Sequence, residues 1–83
     1  MATILITGCS TGIGYEAALI FGRAGHRVYA TMRNLAKAGP LQAATGAEKL
    51  DVRTVQLDVD SQASIDQAIA HILAEAGQID VLV

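Results

Sequence analysis

Gly8, Gly12 and Gly14 fall within seven residues of one another, in the stretch TGCSTGIG at 7–14. Glycine admits positive φ and lets a backbone approach a ligand with no Cβ in the way. Ser10 and Thr11 add hydroxyl donors to the same stretch. If a helix opens just after such a turn, its free N–H groups and the positive end of its dipole favour an anion. The chemistry suited to these residues is main-chain binding of a phosphate or pyrophosphate. The spacing, G-x-x-x-G-x-G, is not the G-x-x-x-x-G-K-[ST] of a P-loop, because no lysine precedes Lys37. It also differs from the usual dinucleotide spacing G-x-G-x-x-G. For the glycines alone, a tight turn that serves only close packing is the alternative.

Two later positions bear on which phosphate compound would bind. Dinucleotide folds place an acid about 20 residues after the glycines, where it holds a free ribose 2′-OH. Here the segment ATMRN (30–34) carries Arg33 and Asn34, and no acid occurs between Glu16 and Glu48. An arginine there can grip a 2′-phosphate through two parallel N–H bonds, which favours NADP over NAD. The alternative is a solvated surface arginine. In QLDV (56–59), Asp58 could accept a bond from an adenine amino group, with Val59 against the ring. The alternative is that Asp58 or Asp60 caps the helix that follows.

For these residues to meet, a strand must precede the glycines and a helix must follow them. TILIT (3–7) is a continuous β-branched run, which suits a strand covered on both faces. Ile13, Ala17, Ile20, Phe21 and Ala24 then recur at helical spacing, and Gly25 offers a stop. RVYAT (27–31) reads as a second strand, with Tyr29 in the core. Over 34–46, Gly39-Pro40 interrupts a helical composition, so a short turn or broken helix is expected, restarting at Pro40 and ending at Gly46. VRTVQLDV (52–59) is the third strand. Ile65, Ala68, Ile69, Ile72, Leu73 and Ala76 follow helical spacing throughout, up to Gly77. Ser64 and Gln67 resemble a capping box, with Asp60 or Ser61 as earlier starts. IDVLV (79–83) begins a fourth strand. The order β-α-β-α-β-α-β implies an α/β fold, a parallel sheet flanked by helices with right-handed crossovers.

With 83 residues the chain makes one small domain at most, and 52% hydrophobic residues with a single proline describe a packed core. A net charge of −2 argues against general nucleic-acid binding. That charge is uneven, +3 over residues 1–47 and −5 over 48–83. No apolar run approaches the ~18 residues of a membrane span. One cysteine and no export signal make a reducing, cytoplasmic setting the expectation. The last residues lie inside an apolar run, and the expectation is that residues 1–83 are the N-terminal part of a longer protein, cut in the fourth strand.

Together these residues resemble the short-chain dehydrogenase/reductase family. Its cofactor motif T-G-x-x-x-G-x-G is matched at every fixed position by TGCSTGIG. LDV (57–59) looks like its adenine-pocket segment, and IDVLV like the strand leading to its Asn-Asn-Ala-Gly motif. VYATMRN (28–34) is similar to the same segment of steroid- and retinol-type members. The resemblance implies a partial Rossmann fold with Gly8, Gly12 and Gly14 as the pyrophosphate loop and Ser10, Thr11 and Ile13 lining it. Arg33 and Asn34 would face a 2′-phosphate, and Asp58 and Val59 the adenine. It implies hydride transfer between NADP(H), or less readily NAD(H), and a small-molecule alcohol or carbonyl. Nucleic acid and membrane are not implied partners; a homo-oligomer of the longer protein is left open. The family's reacting groups are a serine and a Tyr-x-x-x-Lys pair, and no Tyr-x-x-x-Lys occurs here. Catalytic residues are therefore expected outside these 83, and no turnover from them alone. A non-catalytic dinucleotide sensor or scaffold on the same fold is the alternative.

Other reactive side chains read as structural. Cys9 is expected to be a small loop residue, since no basic neighbour lowers its pKa. His26 is expected to be exposed and His71 solvated. The two histidines and one cysteine are too scattered for a metal site. Lys37, Lys49 and Arg53 read as surface charge.

Overall fold

The computed structural model describes all of residues 1–83. Four strands, β1 (Thr3–Ile6), β2 (Arg27–Met32), β3 (Val52–Gln56) and β4 (Val81–Leu82), form one sheet in the order β3-β2-β1-β4. All three neighbouring pairs are parallel. The helices are α1 (Gly12–Arg23), α2 (Gly39–Ala47) and α3 (Gln62–Ala76), with a 3-10 turn at Leu35–Lys37 before α2. Strand order reverses between β1 and β4, which places the topological switch point at the carboxyl end of β1. No helix is long and apolar enough to cross a membrane.

The continuous apolar run of β1 is explained by cover on both faces. Ile4 and Ile6 point to one side and Leu5 to the other, following the period of two of a strand. On the first side they join Val28, Ala30 and Met32 of β2, Ala18 and Leu19 of α1, and Leu41 of α2. On the second side Leu5 meets Tyr29 and Ile72, the latter from α3. Each of the large aliphatic side chains among them contributes ~1.5–3 kcal/mol relative to full exposure.

The α1 helix packs through a different face from the one its large side chains suggest. Ala18, Leu19 and Gly22 are buried, whereas Ile13 is 88% and Ile20 59% exposed. Small residues decide the orientation. Gly14, Ala18 and Gly22 recur every four residues, so they stack on one side of the helix. A Cβ on Gly14 would lie 2.3 Å from the carbonyl oxygen of Gly8, and one on Gly22 2.7 Å from Cγ2 of Val52. The helix therefore settles with its thinnest stripe against the loop and sheet.

Several boundaries differ from those read in the sequence. β3 pairs only through Gln56, because Asp58 turns away: its N–H donates to Ser64 Oγ (2.9 Å) and its Oδ1 accepts from Asp60 N (3.0 Å). Ser61 is the N-cap of α3, its hydroxyl accepting from Ser64 N at 3.2 Å, so the Ser64 capping box does not form. Near Pro40 a 3-10 turn ends at Lys37, and Pro40 opens α2 in its first turn. Arg53 is not simple surface charge: it joins Asp51, which Arg27 also holds, and it contacts Glu75. His26 is half-buried; its Nδ1 accepts from Ala2 N at 3.0 Å. His71 is exposed.

Candidate functional site

The glycine turn joins β1 to α1 at the carboxyl end of the sheet. Two hydrogen bonds tie it to β2: Cys9 N donates to the Thr31 carbonyl at 3.0 Å, and the Thr31 hydroxyl donates to the Ile6 carbonyl at 2.8 Å. Thr31 is fully buried and its role was not evident from sequence; a threonine inside an apolar strand was the available signal. The Cys9 thiol points inward and donates to the Ile6 carbonyl at 3.3 Å. Burial pushes its pKa up to about 11, so it is an inert packing group.

Gly8 and Gly12 have φ of +67° and +66°, conformations that any other L-residue would hold only with strain. No atom lies within 4 Å of where their Cβ atoms would be, so the space in front of the turn is open. Thr11 stands at the N-cap of α1 but its side chain caps nothing, and no acid lies in the first turn. The helix thus presents uncapped N–H groups beside two glycines that face open space. This is the geometry of a main-chain anion site. Ser10 is half-buried and Thr11 and Ile13 are exposed on the same turn.

Beyond β2 and β3, a hollow of about 260 Å³ is lined by Gly8, Arg33, Leu57, Asp58, Val59 and Asp60. It brings one residue of the glycine turn together with Arg33, Asp58 and Val59, from segments separated by up to 51 positions. Small-molecule sites commonly span ~300–1,000 Å³, so this hollow lies just below that range. Arg33 is largely exposed; its Nη2 lies 3.3 Å from Asp60 Oδ2 and its Nε 3.6 Å from Asp58 Oδ1. Its carbonyl accepts from Gln56 Nε2 at 3.2 Å, which fixes the backbone at the strand end. Asn34 is not in this hollow. Its Oδ1 accepts from Ala36 N at 3.0 Å and caps the 3-10 turn.

Asp58 does not cap α3, since Ser61 does. Its carboxylate faces the hollow and retains Oδ2 without an assigned partner. A second hollow of about 410 Å³ lies on the outward face of α1, lined by Gly12, Ile13, Glu16, Ala17 and Ile20. On the opposite face of the sheet, Tyr29 donates its hydroxyl to Glu75 Oε1 at 2.8 Å. Its phenol pKa is raised by burial and by that carboxylate. It lies away from the glycine turn, among Leu5 and Ile72. No three His, Cys, Asp or Glu side chains converge as a metal site.

The site can therefore receive one anion at the α1 N-terminus, a second at Arg33 and a hydrogen-bond donor at Asp58. These are binding functions. Bovine (Bos taurus) retinol dehydrogenase 8 is 45% identical over 98% of this chain, which covers 27% of that protein. Estradiol 17-beta-dehydrogenase 1 of Rattus norvegicus is 37% identical over 96% of the chain, which covers 24% of it. The crystal structure of a putative short-chain dehydrogenase/reductase from Burkholderia xenovorans superposes with a TM-score of 0.92 at 28% identity, over 98% of this chain and 34% of that one. The chain thus spans about a quarter to a third of the length of these proteins. The family described as short chain dehydrogenase matches residues 2–83, and the chain belongs to that family.

Proposed function

We propose that residues 1–83 form the N-terminal, cofactor-binding part of a single Rossmann domain in an oxidoreductase that interconverts an alcohol and a carbonyl with NADP. The observation that carries this reading is the convergence of the glycine turn, the uncapped α1 N-terminus, Arg33 and Asp58 at the switch point of the sheet. A pyrophosphate fits the open space before Gly8 and Gly12, where any Cβ would intrude on the approach. Arg33 then holds a 2′-phosphate, and Asp58 accepts from an adenine amino group with Val59 at the ring. When bound, the nicotinamide supplies hydride transfer. This chain's residues bind and orient the dinucleotide. Relatives named for retinol and estradiol support an alcohol or carbonyl substrate. The groups that move the proton are assigned to segments beyond these residues, since no Tyr-x-x-x-Lys occurs here.

The test is the cofactor preference of the full-length protein. Arg33→Asp replaces a phosphate-gripping fork with a carboxylate that suits a free 2′-OH. NADP affinity is expected to fall by roughly 100-fold, the worth of about two charge-assisted hydrogen bonds, and NAD affinity by much less. An unchanged NADP/NAD ratio would remove Arg33 from the phosphate site.

A further inference from the structure

We propose that Asp60 is a specificity-determining residue of this site, a built-in competitor for Arg33 that weakens recognition of a 2′-phosphate and so brings NADP and NAD closer in affinity. The proposal rests on the cofactor reading above. Arg33 is not free in the structure: its guanidinium lies between two carboxylates, 3.3 Å from Asp60 Oδ2 and 3.6 Å from Asp58 Oδ1. All three residues line the same hollow, together with Gly8.

The two acids differ in what else holds them. Asp58 Oδ1 accepts a main-chain bond from Asp60 N and keeps that partner whether or not Arg33 is near. The Asp60 carboxylate has Arg33 as its polar partner and is 78% exposed. An incoming dianionic phosphate must draw Arg33 from Asp60, and it then sits close to the carboxylate left behind. Both effects oppose the 2′-phosphate and neither opposes a 2′-hydroxyl. Solvent screens charges this exposed, so the effect is a modulation and not a switch.

Asp60→Asn keeps the shape and removes the charge. In the full-length protein, NADP affinity at low salt is expected to rise about 3- to 10-fold, as befits an exposed charge pair plus a screened like-charge contact. NAD affinity should change less than about 2-fold, and the NADP gain should shrink at high salt. Titrations of wild type, Asp60→Asn, Arg33→Ala and the double variant with NADP and NAD separate the outcomes, with thermal melting as the check on folding. In the Arg33→Ala background the Asp60→Asn gain should be smaller, because no arginine remains to release. If Arg33→Ala lowers NADP affinity but Asp60→Asn leaves it unchanged, or raises both cofactors equally, the competitor role is wrong and the cofactor reading stands. If neither variant alters the NADP/NAD ratio, the placement of the 2′-phosphate fails, and this proposal with it.

Discussion

Replacing Gly14 by alanine should damage both the fold and the site, although alanine is the better helix former. The added Cβ would lie 2.3 Å from the Gly8 carbonyl oxygen, 2.8 Å from its carbon and 3.0 Å from the Thr7 oxygen. Ordinary contact begins at 3.4 Å, so helix and loop must separate by about 1 Å. The opposing atoms are backbone, which cannot rotate aside. Overpacking of this kind costs ~1–3 kcal/mol, often more against a rigid wall. The gain in helix propensity offsets about 1 kcal/mol. Gly46 provides the matched control, because it lies inside α2 and its Cβ would meet no atom within 4 Å. Gly46→Ala should therefore stabilise by ~0.5–1 kcal/mol. Equilibrium urea unfolding of the two full-length variants should give a gap of roughly 1–3 kcal/mol in favour of Gly46→Ala, with unchanged m. A shift of about 1 Å in the anion turn should also weaken dinucleotide binding by about 10-fold or more in Gly14→Ala alone. Equal stability for the two variants would refute the steric argument and, with it, the reason given for the orientation of α1.

Two other outcomes follow from the geometry. The Cys9 thiol has its pKa raised by burial from 9.0 to about 11. The native state then keeps a proton that the unfolded chain releases, so stability is full below about pH 9 and falls as pH rises towards 11. Cys9→Ala should show a flatter alkaline decline, and iodoacetamide should modify the wild-type thiol only as fast as the protein opens; a slope unaltered by the substitution would contradict the assignment. Ser61→Ala should cost about 1 kcal/mol and speed hydrogen exchange in the first turn of α3, as loss of an N-cap does. Ser64→Ala should instead loosen the Asp58 turn, whose N–H it receives, and exchange data showing the reverse would restore Ser64 as the cap.

Much of this architecture was legible because its signals are local and periodic. The β-branched run at 3–7, the glycine spacing and the helical stripe from Ile65 to Ala76 each carry their own pattern, and the parallel sheet follows from their alternation. Part of what sequence missed depends on partners far along the chain, and part on local choices that several residues could satisfy. Helix α1 has apolar residues on two sides, and only the close approach of Gly14 and Gly22 to Gly8 and Val52 selects one. The stripe of small residues at 14, 18 and 22 was a signal that periodicity of large side chains obscured. Ser61 and Ser64 are equivalent cap candidates in one dimension; Asp58 N–H decides between them by engaging Ser64. Asn34 follows Arg33 directly, yet its side chain serves the 3-10 turn. Arg53 gave no sign of its contact with Glu75, which α3 brings from 22 residues on, whereas Asp51, two residues before it, was a local signal. The gathering of Gly8, Arg33, Asp58 and Val59 around one hollow was expected from the motif order. The ion pair from Arg33 to Asp60 was not, since Arg33 read as a phosphate ligand or a solvated arginine and Asp60 as a cap of the following helix.

The most direct measurement of the central claim is a crystal structure of the full-length protein with NADP bound. The pyrophosphate is expected against the main-chain N–H groups of Gly12, Ile13 and Gly14, in the space before Gly8. The 2′-phosphate is expected within hydrogen-bond reach of the Arg33 guanidinium, which has left Asp60, and the adenine amino group on Asp58. A dinucleotide seated away from the glycine turn, or a 2′-phosphate in solvent with the Arg33–Asp60 pair intact, would contradict it.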